Sequence, residues 1–198
     1  MAKKERLLLH ICCGPCAGVV MERLSPGFEV GCFFYNPNIH PAAEYRRRAA
    51  AFRTLLSRAP GGGTAEALFG PYDHERWLAL CGALAGEPEG GMRCRLCYGL
   101  RLERAAEVAR ERGYALIATT LSVSPHKRAS LVSEAGEEAA LKAGLTFYGK
   151  DFKKGGGFER SLALSRELAL YRQRYCGCRF SLEEALSSGA RTRAAGGK

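Results

Sequence analysis

No stretch of this sequence approaches the roughly eighteen apolar residues that a membrane span requires. Its first residues, Met1-Ala2-Lys3-Lys4-Glu5-Arg6, lead into an apolar run too short for a secretory leader. Acids are scarce: 20 Asp and Glu stand against 30 Lys and Arg, a formal charge of +10. No Gly-rich Lys-Ser/Thr loop is present, which excludes nucleotide hydrolysis by that phosphate-cradling route. There is no internal repeat, and no change of composition marks a second domain. The 198 residues are therefore expected to form one domain over 1–190, with a disordered basic tail at 191–198. A cytoplasmic location is expected, away from any membrane. Thiols stay reduced there, so the cysteines are not read as a disulfide framework.

What the chain has in abundance is cysteine. Seven of its nine cysteines fall in three tight clusters: Cys12-Cys13-x-x-Cys16, Cys94-x-x-Cys97 and Cys176-x-Cys178. Thiols drawn from three distant parts of one chain hold a metal or move electrons. Cys32 and Cys81 stand alone in apolar surroundings and read as core residues. The positive charge is uneven too, with eight Lys or Arg and three acids between Lys150 and Arg179. A basic surplus leading into Cys176 and Cys178 fits a polyanionic partner, and nucleic acid before membrane.

The hydrophobic pattern alternates strands with helices. Leu7–Ile11, Phe28–Tyr35, Ala67–Phe69, Tyr114–Thr119 and Leu145–Tyr148 read as strands. Helices are expected from Ala17 to Leu24, from Ala42, over His74–Leu84, from Cys94 to about Arg112, over Ser133–Ala143 and over Phe158–Tyr175. Gly61-Gly62-Gly63 reads as a flexible loop, and Arg46, Arg47 and Arg48 as a solvated helix face. The pattern predicts an α/β fold with an open, mostly parallel sheet flanked by helices, Rossmann-like or HUP-like. Ligands in such sheets bind beyond the carboxyl ends of the strands. The segments Cys12-Cys13, Asn36–His40 and Ser122–Lys127 all follow strands and should share that edge.

The thiols allow several chemistries. Cys13-Gly14-Pro15-Cys16 alone matches a thioredoxin-type motif, although such an oxidoreductase needs neither a preceding cysteine nor two further clusters. Cys12, Cys13, Cys94 and Cys97 supply four thiolates, enough for zinc or for an iron–sulfur cluster. Cys16, Cys176 and Cys178 are then spare, for a second metal or a labile disulfide. His40 and His126 sit where a substrate could meet them, while His10 and His74 read as structural. Two rival classes are an adenylating, sulfur-transferring tRNA enzyme and a zinc-stabilised nucleic-acid-binding module. The first is disfavoured because the turn after the first strand is Cys-Cys-Gly-Pro-Cys where such enzymes carry Ser-Gly-Gly.

Taken in order, the motifs resemble the epoxyqueuosine reductase QueH family. They are His10-Ile11-Cys12-Cys13-Gly14-Pro15-Cys16-Ala17, Phe34-Tyr35-Asn36-Pro37-Asn38-Ile39-His40-Pro41 with Glu44-Tyr45 and Arg48, and Cys94-Arg95-x-Cys97-Tyr98 with Arg101-Leu102. Next come Thr119-Thr120-Leu121, Ser124-Pro125-x-Lys127 and Asp151-Phe152-Lys153-Lys154 with Ser161. The series closes with Leu170-Tyr171-Arg172-Gln173-x-Tyr175-Cys176-Gly177-Cys178-x-Phe180-Ser181. The resemblance implies reduction of an epoxide to an alkene on a modified guanosine at the tRNA wobble position, with epoxyqueuosine-containing tRNA and an electron donor as partners. It implies a 4Fe-4S cluster, an adjacent mononuclear iron and no cobalamin. By motif, Cys12, Cys13, Cys94 and Cys97 are the expected cluster ligands and Cys176 and Cys178 the redox-active pair, with Cys16 beside the second iron. Lys127, Asp151 and Tyr171 are candidates for proton supply or for binding the ring hydroxyls. Asn36, Asn38, His40, Lys153, Lys154, Arg172 and Arg174 are candidates for holding substrate or tRNA.

Overall fold

Strand β1 (Glu5–Ile11) is the centre of the molecule, and its alternation sorts the core. Leu7, Leu9 and Ile11 enter one apolar cluster with Val20, Phe34 and Phe52, while Leu8 enters another with Phe33, Leu102 and Ile117. That period of two is what a strand buried on both faces demands. The structure is a computed structural model describing residues 3–59 and 65–195. The glycine loop expected at 61–63 lies outside the described residues.

Along the chain, β1 is followed by α1 (Gly14–Leu24), β2 (Phe28–Phe34), α2 (Ala42–Arg58), β3 (Ala67–Phe69) and α3 (His74–Cys81). A 3₁₀ turn at Gly82–Leu84 leads to α4 (Met92–Glu111) and β4 (Leu116–Thr119), and a second at Thr120–Val123 leads to α5 (Ala129–Ala143). The series ends with β5 (Thr146–Phe147), α6 (Gly157–Glu167) and α7 (Arg179–Ala195). All strand pairings are parallel, in the order β3-β2-β1-β4-β5. This is the expected α/β class as one sheet-centred domain. The chain steps outward from β1 to β3, then returns to lay β4 on the other side of β1. The order therefore reverses between β1 and β4, where doubly wound sheets open a crevice.

Helix α1 starts at Gly14, three residues before the expected Ala17, because Pro15 suits a helix's first turn, where its missing N–H is not needed. Gly14 is required there: a Cβ would stand 2.7 Å from the Ala51 carbonyl oxygen on α2. Helices α1, α2 and α6 cover one face of the sheet, and α4 and α5 the other.

The expectation of a long helix over Phe158–Tyr175 is corrected. Helix α6 stops at Glu167 in a Schellman arrangement: Ala169 N–H donates to Arg166 O and Leu170 N–H to Ser165 O. Ala169 takes the left-handed conformation at φ 50°, and Arg58 Nη1 caps the Leu168 carbonyl at 2.8 Å. No glycine announces the stop, which is why the pattern runs past it. Residues 168–178 are irregular, and an unforeseen helix, α7, follows them. Part of the expected disordered tail, 191–195, forms the end of α7, and residues 196–198 are outside the described residues.

Candidate metal centre and its cavities

The turn between β1 and α1 carries Cys12 and Cys13, and the first turn of α1 carries Cys16. Their three Sγ atoms lie within 4.8 Å of one another. The free N–H groups and positive dipole end of α1 favour negative charge at this turn. Thr120, beyond β4, receives a hydrogen bond from the Cys12 backbone N–H at 2.9 Å and donates its hydroxyl to Cys12 Sγ at 3.1 Å. Gln173 Nε2 donates to Cys13 Sγ at 3.3 Å. Hydrogen bonds from Cys13 and Cys16 hold the Cys12 thiol well below its usual range, with further help from the Lys127 and Arg101 charges. In return Cys13 is pushed up to about 11 by its bond to Cys12, and Cys16 rises as well. The three sulfurs form a soft donor set suited to iron, zinc or copper(I).

A second sulfur neighbourhood forms where α3, α4 and the start of α7 meet. Cys97 and Cys178 share an apolar cluster with Trp77, Cys81 and Leu100. Cys94 lies within electrostatic reach of Cys178 and Cys176, and Cys97 within reach of Cys176. Burial raises Cys94 and Cys176, and pushes Cys97 up to about 12. Backbone N–H groups point at these sulfurs also, Gly90 N–H at Cys94 Sγ (3.2 Å) and Ser181 N–H at Cys178 Sγ (3.4 Å). Cys176 belongs to both neighbourhoods, since it lines one cavity with Cys16 and another with Cys12. The three distant motifs do converge. The two lone cysteines are buried as expected, Cys32 against Met21 and Cys81 beneath Trp77.

Beside the sulfurs opens a cavity of about 360 Å³, lined by Cys16, His126, Lys127, Phe158, Arg172, Gln173 and Cys176, among others. Its size is that of a small-ligand site. Lys127 faces it half-buried. Burial alone would depress this ammonium, but the negative charge of Cys176 and Cys12 outweighs that and raises its pKa. A wider groove of about 1170 Å³ runs between α2 and α7, past Arg47, Tyr171, Arg172, Arg174 and Tyr175.

The candidate residues divide. Lys127, Arg172, Cys16 and Cys176 line the 360 Å³ cavity, and Asn36 and Asn38 a smaller one beside it. Arg172 also caps α6 through Ser161 O and Ser165 Oγ. Asn36 is a brace, accepting from Arg101 and donating to Ile11 O at 2.9 Å. Asp151 lies away from these cavities, in a turn where it accepts the Lys153 N–H at 3.3 Å. Tyr171 is exposed on the groove, and its hydroxyl donates to Glu44 Oε2 at 2.7 Å. His40 stacks on His74 at 5.4 Å and bonds the Cys-Gly-Cys segment through its backbone. Lys153 reaches the Lys127 carbonyl, whereas Lys154 is exposed.

Three important residues have no role in the sequence reading. Arg101 and Gln173 appear there only inside motifs; a helix interior and an irregular segment conceal what they face. Arg48 is a correction. The sequence places it on a solvated face, yet it is 2% exposed and ion-paired to Glu44 at 2.8 Å. The i,i+4 spacing of Glu44 and Arg48 was the available signal.

A thiol-rich edge on a parallel sheet, cationic and adjoining a small-ligand cavity, defines a redox or metal-dependent enzyme of the α/β class. Residues 7–184 match the family model described as epoxyqueuosine reductase QueH. The chain is 36% identical over 177 residues to the epoxyqueuosine reductase QueH of Streptococcus pyogenes serotype M1, covering 88% of this chain and 69% of that one. It is 36% identical over 184 residues to the protein of that name from Thermotoga maritima, covering 90% and 91%, and 34% identical over 183 residues to that of Staphylococcus epidermidis, covering 90% and 77%. The chain belongs to the epoxyqueuosine reductase QueH family and is an oxidoreductase. No helix among the described residues is long and apolar enough to cross a membrane.

Proposed function

We propose that this protein reduces the epoxide of epoxyqueuosine at the tRNA wobble position to the alkene of queuosine, in the cytoplasm, with an external electron donor and without cobalamin. The observation that carries the reading is the meeting of Cys12, Cys16, Cys176 and Lys127 on one pair of adjoining cavities at the carboxyl edge of the sheet.

The all-sulfur donor set, with O–H or N–H groups aimed at Cys12, Cys13, Cys94 and Cys178, fits iron. The expected ligand set of Cys12, Cys13, Cys94 and Cys97 takes two sulfurs from each neighbourhood. The grouping favours a different division. Cys94, Cys97, Cys176 and Cys178 would hold a 4Fe-4S cluster, and Cys12, Cys13 and Cys16 a mononuclear iron. These centres would supply single electrons and a Lewis acid for the epoxide oxygen.

The protein's own groups do the rest. The cavity takes the modified base, with the Lys127 ammonium facing negative charge that develops on oxygen. Phe158 offers the base an apolar wall. Arg172 and Arg174 lie between cavity and groove and meet the flanking phosphates, while Lys153 and Lys154 extend the basic rim. Asp151 and Tyr171, set apart from the sulfurs, serve the rim and the groove in this reading and not the reacting carbons.

The test is anaerobic incubation of iron-loaded protein and a reductant with tRNA bearing epoxyqueuosine, followed by nucleoside mass spectrometry. Loss of one oxygen from the modified nucleoside is the expected result. Iron-loaded protein that leaves the epoxide intact with any low-potential donor overturns the proposal.

A further inference from the structure

Next to the 360 Å³ cavity lies a second, smaller space of about 10 Å³, room for one water. The two share Lys127, Gln173 and Cys176, and the small one also meets Cys12. Six buried side-chain polar atoms among the described residues lack a hydrogen-bond partner, and three belong to residues on this wall: Asn38 Oδ1, Gln173 Oε1 and Arg101 Nε. Asn38 is 2% exposed and Arg101 3%. Polar atoms buried in this way are costly unless something bonds them. Two acceptors and one donor are the complement of a single water, which donates twice and accepts.

We propose that this small space receives the oxygen atom removed from the substrate and holds it as water. The inference rests on the reading of the protein as an epoxide reductase. Converting an epoxide to an alkene breaks both carbon–oxygen bonds and consumes two electrons from the reductase's donor. It also consumes two protons, drawn from solvent through the Lys127 ammonium that lines both cavities. The oxygen departs as one water. An epoxide oxygen carries no hydrogen, so Asn38 and Gln173, facing it with carbonyl oxygens, gain their bonds only as it is protonated. Arg101 Nε–H meets the negative charge as the carbon–oxygen bonds open. The wall thus binds the leaving oxygen better than the bound one, which is the differential that accelerates a step.

Two measurements on the iron-loaded protein test this. A high-resolution crystal structure should show an ordered water bonded to Asn38 Oδ1, Gln173 Oε1 and Arg101 Nε; a metal ion there, or the three atoms satisfied by protein groups, overturns the proposal. In single-turnover reduction, Asn38→Leu should lower the rate roughly tenfold with tRNA affinity unchanged, the effect of one lost hydrogen bond. Asn38→Asp, which keeps the acceptor, should retain most of the rate. An Asn38→Leu protein with wild-type rate overturns the assignment, and Gln173→Met provides the same comparison should Asn38→Leu fail to fold. Wild-type protein that reduces nothing would count against the functional reading, while the crystallographic water would still decide the cavity.

Discussion

Arg48 Nη1 donates to the carbonyl of Cys176 at 2.9 Å, so an arginine on α2 holds in place a cysteine 128 positions away. Its Nη2 takes the Tyr175 carbonyl at 3.2 Å, its Nε the Glu44 carboxylate, and its guanidinium lies over the Tyr175 ring at 5.2 Å. The segment carrying Cys176 has no regular structure of its own, so these bonds substitute for a helix or strand. Arg48→Ala leaves the buried Glu44 carboxylate without its guanidinium partner. A loss of about 3–5 kcal/mol is expected in chemical denaturation, together with a lower iron content.

Gly177 carries the same segment at φ 136°, a region closed to side chains, and a Cβ there would stand 3.0 Å from Arg48 Nη1 and 3.2 Å from Asn38 Nδ2. Gly177→Ala should cost about 1–3 kcal/mol and shift Cys176 and Cys178 out of register. Faster alkylation of both thiols in the folded protein, read by mass spectrometry, is the expected sign. Unchanged labelling would show that the turn tolerates a side chain.

The sulfur neighbourhoods predict separable losses. If the sulfurs divide as proposed, Cys16→Ser removes a mononuclear iron and spares acid-labile sulfide, whereas Cys97→Ser removes both the sulfide and the absorbance of a cluster. Cys32→Ala, at a buried thiol set against Met21, should leave iron and sulfide as they are. Loss of sulfide in Cys16→Ser alone would return Cys16 to the cluster.

His10 gives the fold an acid limit. It is fully buried, with Nδ1 2.9 Å from Thr119 Oγ1 and Nε2 3.1 Å from Tyr35 O. Burial and, secondarily, the Arg101 charge bring its pKa down from 6.5 to about 3. The ring stays neutral in the folded protein while the unfolded chain gains a proton below 6.5. Its contribution is therefore whole above that pH and is lost, by about 1.4 kcal/mol per unit, as pH falls toward 3. His10→Gln should flatten that part of the stability profile in urea titrations between pH 7.5 and 5. Parallel slopes for both proteins would assign the acid sensitivity elsewhere.

Salt separates the basic residues. Arg174→Ala and Lys154→Ala remove exposed cations, and each should lower the slope of log affinity for tRNA against log salt by about 0.7–0.9. Lys153→Ala should do less, because its ammonium is engaged by Asp151 and the Lys127 carbonyl. Equal slopes across all three variants would place the anticodon arm elsewhere.

The parallel sheet was legible because every strand is short, apolar and bounded by glycine, proline or cysteine, and because the apolar period changes from two to 3.6 between elements. The thiol motifs were legible because cysteine is rare and its spacing is informative. Arg48, Arg101 and Gln173 were not, since a buried arginine and a surface one look the same in a row of letters until the partner strand or loop is in place. The end of α6 was hidden because an alanine, and not a glycine, takes the left-handed position.

By itself, then, the sequence determined the chemistry available here: local patterns dictate strands and helices, and clustered thiols dictate soft-metal or redox work. Which sulfurs stand together was decided only by folding. Cys12 and Cys16 are neighbours in sequence and in space, but Cys176 joins them through the reversal of strand order at β1 and β4 and the grip of Arg48. Those contacts cross more than a hundred residues, and no periodicity in the chain encodes them.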